Sequence, residues 1–260
     1  MSNIFLVLDS TAAGASNSSD FTIDFRQQIN LGKDQYELAL SRLNLWYSWF
    51  NISAENNNNI ARYFNGAVYR DILFPDGQYS VSQINDYVQS VMKANGDFTL
   101  SGSTEVYDII ISANFATGKV NIQLTSGYTF DLATGDLYLL LGGDQIEVTT
   151  SGDLPRIANI TNDVNQIWAR CSLVEGQGSY VNDTQADIIY TFVPDTVPNT
   201  NIDLSPITLA WIPLNVTNNV IRKVRVRITD NLDRPLNLNG EPVTFTLLIR
   251  KAKMEIGEDR

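Results

Sequence analysis

The chain has 260 residues, a hydrophobic content of 43% and a formal net charge of -11 at neutral pH. This length suits one large β domain or two smaller domains, and the apolar content excludes a chain that is disordered throughout. The sequence contains no histidine, which excludes Ser-His and Cys-His nucleophile pairs and the usual zinc and copper ligands.

Cysteine content and the N-terminal sequence indicate where the protein folds. The single cysteine, Cys171, cannot form a disulfide within the chain, which favours folding in a reducing compartment. The apolar run at residues 4–8 has no basic segment before it and is too short for a signal peptide or a membrane span. We therefore expect synthesis in the cytoplasm, no signal peptide and no membrane-spanning segment.

The charge is divided unevenly along the chain. Residues 220–260 carry a net charge of +3, and residues 1–219 carry -14. An acidic body of this size argues against a general nucleic-acid-binding protein, so we expect no specific nucleic-acid partner.

The N-terminal part of the chain has the period of two that is typical of β-strands. Apolar and polar residues alternate over residues 21–25, and residues 36–50 form the longest strand candidate. In that candidate the apolar positions are even up to Leu40 and odd from Leu43 onward. Because a period of two changes parity only when a residue is inserted, we predict a β-bulge or a sharp bend near Ser41-Arg42.

Residues 68–144 have a different sequence pattern, in which a helix is followed by short strands. Apolar residues recur at helical spacing from Val81 to Val91, Ser80 and Gln83 form a capping box, and Gly96 stands where a helix would end. Short strands follow, and we interpret the apolar run at 137–141 as a further strand. This segment is predicted to be a small α+β domain inserted into a β domain that comprises residues 1–67 and 145–260.

The remainder of the chain is again rich in strands. We predict strands at 166–174, 186–193 and 207–214 and a closing pair within 220–253. With the earlier strands this makes about eight, at the spacing of a sandwich or jelly roll. The predicted fold class is mainly β, a jelly-roll β-sandwich with an inserted small α+β domain.

One strand of the closing pair separates core residues from charged ones. Val224, Val226 and Ile228 would lie on one face, and Lys223, Arg225 and Arg227 would lie on the other. Three like charges along one strand face are solvated or require acidic partners at an interface. We take Lys223, Arg225 and Arg227 as candidate interface residues, with nucleic-acid contact as the alternative.

The remaining motifs predict no catalytic, cofactor or metal site. Gly142-Gly143-Asp144 lacks the Lys-Ser/Thr of a phosphate loop and suits a turn. Two sets of oxygen ligands resemble calcium loops but lack the acid at loop position 12; they are Asp131 with Asp136, and Asp195 with Asn199, Asn201 and Asp203.

Two other function classes remain open from the residues alone. Four tryptophans could stack on sugar rings in a carbohydrate- or receptor-binding sandwich; they are Trp46, Trp49, Trp168 and Trp211. For Trp49, which is in phase with neighbouring apolar residues, we expect core packing instead. A glycoside hydrolase would require a pair of converging acids, and no particular pair stands out among the 29 acidic residues.

Several segments together resemble one protein family in both sequence and order. They are Phe-Pro-Asp-Gly-Gln-Tyr-Ser at 74–80 with Ile84-Asn85, Leu-Leu-Leu-Gly at 139–142, Ala-Asp-Ile-Ile-Tyr at 186–190, and Val-Arg-Ile-Thr-Asp at 226–230 continuing through Leu-Asn-Leu-Asn-Gly-Glu-Pro-Val-Thr at 236–244. On these segments the chain, from about residue 1 to 253, resembles the minor capsid (penton) proteins of virophages and of Polinton-like and adintovirus-type DNA viruses.

This resemblance implies a structural role. Such a protein would be a jelly-roll subunit whose homopentamers fill the five-fold vertices of an icosahedral virion, beside the major capsid protein of the same virus. It would be made in the host cytoplasm and would carry an inserted domain, for which 68–144 is the candidate. A host receptor or glycan is a further possible partner, and the resemblance implies no enzymatic activity.

Overall fold

The computed structural model describes residues 3–12, 17–161 and 164–252. The chain divides into two compact units, and the second is continuous in sequence between the two parts of the first. We call the unit made of Met1–Trp49 and Val164–Arg260 the sandwich unit, and Phe50–Asp163 the inserted unit.

The strands and helices follow in chain order. The first part of the sandwich unit contains β1 Ile4–Asp9, β2 Asp20–Asn30 and β3 Tyr36–Trp46. The inserted unit contains β4 Ile60–Phe64, β5 Tyr69–Leu73, α1 Val81–Ala94, β6 Thr99–Ser101, β7 Thr104–Val106, β8 Ile109–Asn114, β9 Lys119–Leu124, β10 Thr129–Asp131, α2 Leu137–Leu141, β11 Glu147–Val148 and β12 Gly152–Ile157.

The second part of the sandwich unit begins with β13 and ends with β20. Two short 3₁₀ helices, Ser172–Val174 and Thr217–Asn219, interrupt its strands. The strands are β13 Ile167–Cys171, β14 Ser179–Val181, β15 Thr184–Ala186, β16 Ile188–Phe192, β17 Asn201–Leu204, β18 Ile212–Pro213, β19 Val220–Asp230 and β20 Thr244–Lys251.

Strand order identifies the sandwich unit as a jelly roll. One sheet has the order β1-β20-β3-β17, with β18 also paired to β3, and the other has the order β16-β13-β19-β2. Every pair in both sheets is antiparallel. Eight strands form these two orders, and we number them 1 to 8 along the chain as β1, β2, β3, β13, β16, β17, β19 and β20. The orders then become 1-8-3-6 and 5-4-7-2, so most connections pass from one sheet to the other. Two interlocked Greek keys produce this order, which confirms the predicted fold class.

Both sheets of the sandwich unit contribute to one hydrophobic core. Alternate positions of each strand point inward, as the period of two requires. The first sheet contributes Leu6, Leu8, Leu38, Leu40, Leu43, Phe245, Leu247 and Ile249, and the second contributes Phe21, Ile167, Ala169, Val224, Val226 and Ile228.

The bulge predicted in β3 is present. Thr246 of β20 pairs with Arg42, and the next residue, Leu247, pairs with Leu40, which leaves Ser41 as the extra residue. Leu40 and Leu43 are both buried, although they have opposite parity. The inserted residue therefore keeps both halves of β3 facing the same core.

The inserted unit packs α1 against its own sheets. Ile84, Val88 and Met92 are completely buried and join a cluster with strand residues of this unit. The capping box predicted for Ser80 and Gln83 is present, with hydrogen bonds in both directions. The end of α1 is a Schellman motif, in which Gly96 N–H donates to Lys93 at 3.0 Å and Asp97 N–H donates to Met92 at 2.9 Å.

The boundaries of the inserted unit differ from those predicted for the inserted domain. The unit spans residues 50–163, whereas the sequence predicted 68–144. The additional residues at both ends pair within the unit, because β4 lies between β5 and β10, and β12 pairs with β9. β4 and β12 are short, and their apolar and polar residues do not alternate strongly enough to predict these long-range pairings from the sequence.

Two predicted strands are wrong. Residues 137–141 form helix α2, whose buried residues Leu137, Leu140 and Leu141 have the i, i+3, i+4 spacing of a helix. A five-residue apolar run is too short for its period to be recognised. At 207–214 only Ile212–Pro213 pairs with β3, and Ile207 is fully exposed. Among the helices that the structure describes, none is long and apolar enough to cross a bilayer.

Candidate functional site

The predicted alternation along β19 is present in the structure. Val224, Val226 and Ile228 are completely buried in the sandwich core. Lys223 and Arg225 are exposed, and Arg227 is half-buried. The three basic residues therefore lie on the outer face of the sheet β16-β13-β19-β2, which is the candidate site.

Arg225 has an acidic partner on the neighbouring strand. Its guanidinium donates to both carboxylate oxygens of Asp20 on β2, with Nε 2.7 Å from Oδ1 and Nη2 2.5 Å from Oδ2. The hydrogen bond to Asp20 raises the pKa of Arg225. Since about half of the Arg225 side chain is exposed, such a pair contributes at most about 1 kcal/mol.

Arg227 belongs to a larger ion-pair network with Arg170 of β13, which we call the outer-face network. Nη2 of Arg227 lies 3.1 Å from Oδ2 of Asp187, and Nη1 of Arg170 lies 2.6 Å from Oδ1 of the same residue. Asp233 contacts both arginines, at 3.0 Å from Arg170 and 3.6 Å from Arg227. Two arginines and two aspartates thus form a network with no net charge.

Arg170 is the buried member of the outer-face network. Only 7% of its side chain is exposed, and its Nε donates to Thr229 at 3.2 Å. Its guanidinium also lies 5.2 Å from the ring of Trp168. A buried guanidinium needs several partners to offset its lost hydration, and Arg170 has them.

Sequence reasoning missed Arg170 and Asp187. A signal for Arg170 existed, because it is the single charged residue in β13, where all five residues are buried. A lone charge in such a strand predicts an ionic partner. The identity of that partner depends on strand pairing, which places β13 between β16 and β19.

The two arginine partners of Asp187 stabilise its carboxyl group in the ionised form. Burial alone would raise the pKa of its carboxyl group, but hydrogen bonds from Arg170 and Arg227 outweigh burial and lower the pKa below the ordinary value of 3.8. Burial raises the pKa of the neighbouring Cys171 thiol to about 12, so this cysteine is protonated and unreactive at neutral pH.

A cleft of about 510 Å³ lies beside the outer-face network. Its walls include Trp168, the hairpin of β14 and β15, and the turn at 231–233. The arginines on the wall are already paired with carboxylates, so the cleft lacks the excess positive charge that a phosphate or nucleic-acid site requires. Its lining carries two arginines and four carboxylates, so the cleft is an open polar surface with a net negative charge.

The oxygen ligands that resembled calcium loops have other contacts. Asp131 accepts from Nε of Arg62 at 2.7 Å, and Asp136 accepts from Asn57 at 2.9 Å. Asp203 pairs with Arg42, and Asn201 exchanges hydrogen bonds with Asn44. In the ranges that the structure describes, no group of three His, Cys, Asp or Glu residues could hold a metal ion.

The four tryptophans do not form one stacking platform. Trp49 is buried and stacks on Tyr47 at 4.2 Å between ring centroids, which confirms its expected core role. Trp168 is buried beside Arg170, and the ring of Trp211 lies 3.8 Å from the guanidinium of Arg250. Trp46 is the most exposed of the four.

Several carboxylates have pKa values that hydrogen bonds shift downward. Asp9, Glu105, Asp153, Asp187 and Asp203 all have lowered pKa values. The general acid of a glycoside hydrolase requires a shift in the opposite direction. These five groups therefore suit structural contacts and do not suit acid catalysis.

Comparison with known proteins gives a likeness in structure only. No protein-family model matches the chain, and no curated protein matches its sequence. The crystal structure of the mavirus penton protein is similar with a TM-score of 0.50 and 12% identity, over 97% of this chain and 100% of that chain. A chain in the structure of the Sputnik virophage gives a TM-score of 0.44 and 12% identity, over 96% and 98% of the two chains. At this identity the first likeness establishes the fold, and the chain shares it with the mavirus penton protein over nearly its whole length.

Proposed function

We propose that this protein is a structural virion protein, a penton subunit located at the vertices of an icosahedral capsid. The observation that carries this proposal is the likeness to the mavirus penton protein, which spans all of that chain and 97% of this one. A fold alone does not define a function, so the surface of the protein must also suit the role.

The chemistry of the described surface is compatible with assembly. The outer-face network is neutral and fully paired within the chain, and the perturbed carboxylates are stabilised in their ionised forms. Polar groups arranged in this way hold a surface in one conformation. A capsid subunit needs a fixed surface of this kind to form the same contact with each neighbour.

The proposed assembly is a homopentamer that contacts the major capsid protein of the same virus. Five copies close a ring when one surface of each subunit binds a different surface of the next, with a rotation of one fifth of a turn. We include Lys223, Arg225 and Arg227 in the proposed contact surface. Arg225 and Arg227 already pair with carboxylates of their own chain, so Lys223 is the member for which a neighbouring acid would matter most.

The oligomeric state of the purified protein tests this function. Multi-angle light scattering and native mass spectrometry should give a mass five times that of one chain. Co-expression with the major capsid protein should place the protein at particle vertices in electron micrographs. A protein that remains monomeric at high concentration and is also monomeric within intact particles would overturn the proposal.

A further inference from the structure

Strand β1 is apolar on both of its faces. Leu6 and Leu8 point into the sandwich core and are buried, whereas Phe5 and Val7 alternate with them and are 64% and 66% exposed. A strand with apolar residues on both faces is typical of a strand that is covered on both sides. Within the described part of the chain, the outer face of β1 therefore lacks a cover that its sequence predicts.

Strand β1 also lies at the edge of its sheet. It pairs with β20 on one side, and no strand within the described ranges pairs with the other side. Proteins usually protect such an edge with lysine, proline or a bulge. β1 contains none of these, and its single charge is Asp9 at its last position.

The opposite edge of the same sheet carries a second exposed apolar feature. β17 and β18 both pair with β3, and the chain between them, residues 205–211, leaves the sheet as a loop without charged residues. Ile207 of this loop is fully exposed. The loop ends at Trp211, whose ring lies against Arg250, and Arg250 donates to Glu37 at 2.9 Å.

Strand register places the two features at the same height along the sheet. Phe5 is opposite Leu248, which is opposite Ala39 of β3, and Val7 is aligned in the same way with Arg42. Leu204, the last strand residue before the loop, is opposite Leu43 of β3, and Ile212, the first strand residue after it, is opposite Leu38. The ends of the loop therefore lie on either side of the level of Ala39 and Arg42. With three strand spacings between β1 and β17, the two edges are about 14 Å apart.

We propose that Phe5 and Val7 of one copy of this chain pack against the loop 205–211, centred on Ile207, of the next copy. A second copy is the occupant that the two features favour. A closed ring needs two different, complementary surfaces on each subunit, and here one belongs to the edge strand β1 and the other to the loop that joins β17 and β18, the strands of the opposite edge. This inference rests on the proposed function, because it adds to the ring an apolar contact on the sheet that does not contain Lys223, Arg225 and Arg227.

Charge provides a second reason for a contact between copies at these positions. Each chain carries a net charge of -11, so two copies repel each other at long range. The loop has no charge, and β1 has one at its end. These edges allow two acidic chains to meet over apolar groups without placing like charges opposite each other.

Substitution of the two apolar features is the first test. Phe5→Ser and Ile207→Ser should each raise the dissociation constant of the ring by about tenfold or more, because central apolar contacts dominate such interfaces. The thermal unfolding midpoint of the dissociated chains, measured at a concentration too low for assembly, should stay at the wild-type value, since both side chains are exposed in the single chain. Phe115→Ser is the matched control, because Phe115 is 96% exposed but belongs to the inserted unit, and it should leave assembly unchanged.

Cross-linking is the second test. In a Val7→Cys/Ile207→Cys variant, a bismaleimide shorter than the separation of the two edges should join neighbouring copies into covalent multimers up to five chains. The native Cys171 is buried with a thiol pKa of about 12, so it does not react. Each single-cysteine variant should give no covalent dimer, because the contact joins two different surfaces.

The outcomes separate this inference from the proposed function. A wild-type pentamer whose assembly is unchanged by Phe5→Ser and Ile207→Ser, and whose double-cysteine variant gives no covalent multimers, overturns the proposed contact and leaves the penton role intact. A covalent dimer from Val7→Cys alone also overturns it, because β1 would then meet β1. A wild-type protein that never assembles overturns the penton role and this contact together.

Discussion

Arg170 and Asp187 form the most buried ion pair of the outer-face network, with 2.6 Å between Nη1 and Oδ1. Only 7% and 15% of the two side chains are exposed. Because Asp187 also accepts from Arg227, one carboxylate connects β13 with β19 through their side chains. The stability of the sandwich unit therefore depends on this one carboxylate more than on an exposed acid.

Asp187→Asn should lower the free energy of unfolding of the sandwich unit by about 3 kcal/mol, because it leaves the buried guanidinium of Arg170 without its strongest partner. Urea denaturation monitored by tryptophan fluorescence measures this loss. Asp203→Asn removes a carboxylate from the exposed pair with Arg42 and serves as the control. Equal losses in the two variants would show that burial does not distinguish the pairs.

The same carboxylate predicts a pH dependence with a definite sign. Its pKa in the folded protein is below the ordinary value of 3.8, so its contribution is fully present above that value and is lost as the pH falls through the folded pKa. The stability difference between wild type and Asp187→Asn should be constant from pH 7 to pH 5 and should shrink below about pH 3.8. A difference that stays constant to the lowest pH would contradict the assignment.

Gly142→Ala should destabilise the inserted unit strongly. Gly142 has a φ of 77°, and an added Cβ would lie 2.4 Å from the carbonyl oxygen of Arg156. Gly96 also has a φ of 77°, but a Cβ there meets nothing within 4 Å. Gly96→Ala should therefore cost about 1 kcal/mol for the left-handed conformation alone. Thermal melts of the two variants measure the difference, which should favour Gly96→Ala by several degrees.

Ile84→Asp should unfold the inserted unit more than the sandwich unit. The substitution places a charge at a completely buried position of α1, where it has no partner. Hydrogen exchange should show lost protection in β8 and β9 and retained protection in β13 and β19. Ser90→Asp, at an exposed position of the same helix, should leave both patterns unchanged. Equal loss of protection in both units would contradict separate folding.

Arg225→Ala combined with Arg227→Ala should leave the monomer folded but weaken the proposed pentamer. The difference from wild type should be largest at low salt and shrink at high salt, because salt screens charged contacts at the rim of an interface. Pentamer dissociation measured across a range of salt concentrations tests this. Arg222→Ala, an exposed arginine of the same strand outside the three candidates, is the control. Unchanged assembly with an unchanged salt response would mean that Arg225 and Arg227 serve only their own chain.

Local patterns in the sequence predicted the features that depend on neighbouring residues. The parity change in β3 predicted a bulge or a bend, and Ser80 with Gln83 predicted a helix start, because both follow from the geometry of a single element. The alternation of β19 assigned Lys223, Arg225 and Arg227 to one face for the same reason.

Contacts between distant residues were decided by the tertiary structure. The partner of Arg170, the extent of the inserted unit and the helix at Leu137–Leu141 all depend on which segments meet in space. The position of Phe5 and Val7 relative to the ends of the loop 205–211 also depends on the order β1-β20-β3-β17 and on its register. A period of two determines which face a side chain occupies, but it carries no information about which strand lies next to it, and only the folded sheet supplies that neighbour.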